Sequence, residues 1–149
     1  MTYLENITFL TGRFVQLSQY LLKTSFRLVA LREEEEHRLS YQTKESIVSG
    51  AEAKAETYLS SSQGLSADEL ISLFSGKGIS VKDRNDLSFL LRKRQYLVGS
   101  YFLVNDAALG REDVAIYESK INELKEYNKK ARDLNGHFAR LIDQRERKN

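Results

Sequence analysis

Ile7, Leu10, Phe14, Leu17, Leu21, Thr24, Leu28 and Leu31 follow one another by alternating steps of three and four residues. That alternation is the a/d seam of a supercoiling helix, and a strand has no use for it, because strand side chains change face at every residue. Val15, Leu22, Phe26 and Val29 widen the seam, so this helix needs more than one neighbour, or a partner protein. The chain contains no proline, the residue that most often interrupts a helix. Beyond Leu31 the seam positions turn polar at Glu35, Arg38, Gln42 and Glu45. The stretches Glu33 to Glu36 and Ala51 to Ala55 still favour helix, and only Gly50 opposes it. One helix is therefore predicted over residues 3–61, stopped by Ser60-Ser61-Ser62-Gln63-Gly64.

A connector over residues 62–81 follows, with a short helix of its own. Ser66 and Glu69 have capping-box spacing ahead of Leu70, Ile71, Leu73 and Phe74, and Gly76 and Gly78 end the run. Asp83 or Asn85 can cap the next helix, whose seam reads Leu87, Leu90, Arg94, Leu97, Tyr101, Val104 and Ala108. Gly110 either breaks this helix or is absorbed at a cost of about 1 kcal/mol relative to alanine. Arg111-Glu112-Asp113 would suit a fresh first turn. The heptad resumes through Val114, Tyr117, Ile121, Leu124, Asn128, Ala131, Asn135, Phe138 and Ile142, with two asparagines that can fix register.

These lengths decide the predicted architecture. A helix over 3–61 is about 90 Å long, and one over 82–145 about 95 Å. Two arms of matching length around a Gly/Ser-rich connector read as a long antiparallel helical hairpin, a coiled coil in one all-α domain over residues 1–149. The competing layout breaks the chain near His37 and Gly110 and folds it into a compact four- or five-helix bundle. The aromatic residues near Tyr3–Phe26 and Tyr96–Phe102 favour that second layout.

Catalytic chemistry finds little to work with. Cysteine is absent, which removes thiolate ligands and nucleophiles and suits a reducing cytoplasm. His37 and His137 are the only histidines, and neither has a second one at helical spacing. The carboxylates of Glu33 to Glu36 point in successive directions around a helix and do not converge on a cation. Ser75-Gly76-Lys77-Gly78-Ile79-Ser80 lacks the spacing of a phosphate loop. Neither a cofactor nor a metal is expected, and the chain is read as a non-enzyme. Residues 1–12 lack the basic start and apolar run of a signal peptide, and no apolar stretch approaches the ~20 residues of a membrane span. A cytoplasmic protein is the expectation.

Lys and Arg total 23 against 21 for Asp and Glu, mixed along the chain. A balance this close to neutral puts nucleic acid behind protein as a partner. The run Arg92-Lys93-Arg94-Gln95-Tyr96, and Arg140, Arg145, Arg147 and Lys148, keep a nucleic-acid-binding module as the third reading. Toward the end, Gly136-His137-Phe138-Ala139-Arg140-Leu141-Ile142 sets an aromatic and aliphatics beside arginine, a combination enriched in protein interfaces.

The order of long helix, connector and long helix resembles the central stalk protein of type III secretion export ATPases, the flagellar FliJ group with its InvI and YscO relatives. Leu65-Ser66-Ala67-Asp68-Glu69-Leu70-Ile71-Ser72-Leu73 looks like the connector of the InvI type, and residues 136–142 are similar to the C-terminal segment. The chain departs from that pattern in its aromatic content and in Gly12, Gly50, Gly99 and Gly110 inside predicted helices. The resemblance implies paired chain ends inserted in the pore of a hexameric ATPase, a connector facing the membrane export gate, and chaperone contacts. The residues it singles out are Arg13, Arg140, Arg145 and Arg147, with Phe138 and Ile142 as apolar anchors. The alternative is a compact helical adaptor or inhibitor, of phage or plasmid type, that binds a host protein.

Overall fold

Thr2 opens the first helix: its hydroxyl accepts from the Glu5 amide, and the Glu5 carboxylate accepts from the Thr2 amide in return. In the computed structural model, which describes residues 2–74, 78–99 and 114–147, this helix is α1, Tyr3–Glu36. It is followed by α2, Lys44–Ser61, α3, Ala67–Leu73, α4, Val81–Gly99, and α5, Val114–Arg147. The described residues form five helices and no strand, packed as a bundle. The Gly110 break, the seam positions Tyr101, Val104 and Ala108, the turn at 111–113, residues 75–77 and Lys148 lie outside the described residues.

The single helix expected over 3–61 is two helices. α1 closes at His37, and Thr43 caps α2 by accepting from the Ser46 amide at 3.1 Å. The physical reason lies beyond Leu31, where a straight continuation would bury nothing. Acidic Glu33 to Glu36 also crowd the negative end of the α1 dipole, which has no basic residue in its last turn. Turning back at 37–43 lets Ile47, Ala51 and Ala55 pack onto α1, where they are buried. Burying Ile47 alone contributes about 2 kcal/mol. Tyr58 then lies 5.8 Å from Phe26, ring to ring.

α3 has the expected Ser66/Glu69 capping box. α4 is capped by Ser80, whose hydroxyl accepts from the Asp83 amide at 3.1 Å, rather than by Asp83 or Asn85. Just before it, Gly78 has φ +80 and Arg32 passes so close that a Cβ there would meet the Arg32 Cδ at 2.6 Å. Only glycine suits both conditions.

α1 and α5, each of 34 residues, run parallel. Tyr3 stacks on Tyr117 at 5.5 Å, Asn128 Nδ2 donates to the Leu10 carbonyl at 3.2 Å, and Arg27 pairs with Glu146 at 2.5 Å. Every pair moves up both helices together. In the expected antiparallel hairpin Tyr3 would instead lie near residue 145. The arrangement differs because α4 intervenes as the antiparallel neighbour of both, from Asp83 beside His137 to Phe89 beside Tyr127 on α5, with Arg94 reaching Gln19 on α1. The core between them includes Phe14, Leu21, Phe26, Phe74, Leu90, Leu124 and Phe138.

Candidate functional site

The residues singled out in sequence do not form one cluster. Phe138 and Ile142 lie in the core at 0 % and 5 % exposure, so neither can anchor a partner. Heptad position decides this: both belong to the α5 seam, which faces α1. Arg145 is engaged within the fold. It pairs with Glu35 at 2.6 Å, and its carbonyl accepts from Lys44 Nζ. Arg147 pairs with Asp143 on the same exposed turn at 3.2 Å. Arg140 is exposed. Arg13 is exposed near the start of α1, hydrogen-bonded to Gln16 Oε1 at 2.8 Å. Because Arg145 lies beside Glu35, Arg13 is about 33 Å away along the helix axis. Thr2 and Arg147 therefore sit at opposite ends of the α1–α5 pair.

What does lie together is a stripe on the outer face of α1. Phe9, Arg13, Gln16 and Tyr20 step by four, three and four residues, which keeps them on one side of a helix. That side lies opposite the buried seam of Ile7, Phe14 and Leu21. Phe9 is 58 % exposed and Tyr20 51 %, large values for rings on a helix that buries thirteen other residues. Arg13 donates to Gln16, and Gln16 Nε2 reaches the Tyr20 hydroxyl at 3.5 Å, so the polar members hold one another along the stripe. Gly12, on the same side, has nothing within 4 Å of where a Cβ would stand. Sequence reading named Arg13 and passed over Phe9 and Tyr20. The signal was present as a second four-three-four spacing, out of phase with the first.

Two clefts carry charge without carrying an evident reaction. A cleft of about 360 Å³ between α1, α2 and α5 gathers Arg32, Arg38, Lys44 and Arg145 around Glu35. Arg32 Nε is buried without a partner, and burial, then the neighbouring Arg145, lowers the Arg32 pKa. Lys44 and Arg145 spend their charges closing the end of α5 onto α1 and α2. The second cleft, about 430 Å³, holds His137 Nε2 at 3.0 Å from Asp83 Oδ2, with Asp86 and Asp133 nearby. A histidine–aspartate pair can serve as a general base, but among the described residues no serine, threonine or tyrosine lines this cleft to receive its help. The pair ties α5 to α4. Among the described residues no group of three or more histidine, aspartate or glutamate side chains is placed to hold a metal, and no helix is long and apolar enough to cross a membrane. No family model, no curated protein and no solved structure matches this chain.

Proposed function

We propose that this chain works by binding another protein and catalyses nothing, as a compact helical adaptor or inhibitor whose α1 outer face receives a helix of its partner. The observation that carries this reading is the exposed stripe Phe9, Arg13, Gln16 and Tyr20. Tyrosine and arginine dominate interface hot spots, and the four-three-four spacing matches the seam a second helix would offer. The complementary helix is apolar at its facing positions, with an acidic residue opposite Arg13. A photo-crosslinking residue at Phe9 or Tyr20 should capture one common protein in the producing cell. Arg13→Glu should abolish both adducts. The same adducts from a probe at exposed Lys125, or adducts indifferent to Arg13→Glu, would overturn the reading.

The stalk of a type III secretion ATPase is a second reading of the same class, supported by the connector and C-terminal resemblances. Its partners would be the hexameric ATPase, the export gate and secretion chaperones, at the cytoplasmic face of the inner membrane. With the chain ends apart, such a stalk would enter the pore by its C-terminal end alone, through Arg140 and Arg147. Reversing both charges should then weaken association with a purified secretion ATPase. Arg145 is unsuited to that test, because Arg145→Glu would also break the Glu35 pair.

A further inference from the structure

We propose that the groove between α3 and α4 binds single-stranded nucleic acid, gripping its phosphates with Arg84, Arg92, Lys93 and Lys130 around the partly exposed Phe89 ring. The groove, about 750 Å³, follows one face of α4 from Arg84 to Tyr96, a length of about 18 Å. Arg84, Arg92 and Lys93 line it, and among the described residues no carboxylate does. Arg92 meets Asp68 only at the exposed rim, at 3.3 Å. Lys93 and Lys130 stand 5.4 Å and 4.5 Å from the centroid of the same Phe89 ring. Two ammonium groups held near one ring repel each other, and a phosphate bound beside them would relieve that. Asp83, Asp86 and Asp133 line the neighbouring cleft, which shares Phe89 and Lys130 with this site, and the groove itself is lined by Arg84, Arg92 and Lys93. Arg94, the middle of the basic run, turns away to Gln19 Oε1 at 3.3 Å.

An unpaired strand fits better than a duplex. Phe89 is 37 % exposed, and a ring at the centre of a cationic track rewards a base free to stack, which a duplex withholds. This site is independent of the α1 stripe, on other helices.

The test is fluorescence anisotropy of a labelled oligothymidylate with the full chain. Three or four neutralised phosphates should weaken binding about 20- to 50-fold between about 50 and 200 mM salt. Arg84→Glu with Lys93→Glu should weaken it by about tenfold or more at low salt and flatten the salt dependence. Phe89→Leu should cost about fivefold or more and leave the salt slope unchanged. Lys130→Glu, on α5, repeats the charge test should the α4 double variant lose its helical circular dichroism. No binding at about 50 mM salt, variants that bind as the parent does, or polyglutamate or duplex competing as well as the single strand would overturn the proposal.

Discussion

Tyr58 donates its phenol to the Glu33 carboxylate at 2.6 Å, and Lys54 reaches the same oxygen at 2.5 Å, so two polar contacts from α2 to α1 converge on one acid. Desolvation, then the hydrogen bond and charge of Glu33, pushes the Tyr58 pKa up from 10.0 to about 12. The sign of the consequence follows. Below pH 10 the phenol is protonated in folded and unfolded chains alike, and the bond contributes in full. Above it the unfolded chain ionises first, and the contribution is lost as pH rises through about 12. Tyr58→Phe should therefore lower stability by about 1 kcal/mol at pH 8, the ordinary contribution of a part-buried side-chain hydrogen bond. The difference from the parent should close between pH 10 and 12 in denaturant titrations, and a gap that is absent at pH 8 would refute the account. Residue by residue, sequence reading saw the apolar seam and missed the polar row beside it. Thr11, Ser18 and Ser25 repeat every seven residues and are buried, each hydroxyl bonded to the carbonyl four residues back. Hydroxyls satisfied by their own helix can enter a core as small residues, and no hydropathy pattern reveals that.

At the scale of elements, what could be read was where helices want to start; where they must stop was harder. The Ser66/Glu69 box stands as expected because capping is local chemistry. The end of α1 at Glu36 is not local. It is fixed by the gain Ile47, Ala51 and Ala55 make on folding back, which depends on residues far along the chain. The direction of α5 is likewise set by its packing against α4. A parallel α1–α5 pair can be tested cleanly, since the chain has no cysteine. Cysteines replacing Tyr3 and Tyr117, whose rings stack at 5.5 Å, should be joined within one molecule by a short bifunctional maleimide. Cysteines replacing Tyr3 and Arg145 should not, because about 50 Å of helix separates those levels. The opposite pattern would restore the antiparallel hairpin.

For the whole molecule, length and function are the same question. A stalk of two arms needs a shaft about 90 Å long whose chain ends meet at one tip. Among the described residues, two parallel helices of 34 residues span about 50 Å, with Thr2 at one end and Arg147 at the other and side faces as the broadest surfaces. On the proposed reading such a body would meet partners with its flanks: the aromatic stripe of α1 on one, the cationic groove of α4 on another. Small-angle scattering distinguishes the shapes without any mutation. A hairpin shaft has a radius of gyration of about 30 Å, whereas a bundle of this chain length lies between about 15 and 20 Å. The smaller value is expected, with a distance distribution that falls to zero well short of 90 Å. The larger value would mean that α2 does not fold back at residues 37–43. Ile47, Ala51 and Ala55 would then lose their cover, and a binding role through the flank of a bundle would lose its basis.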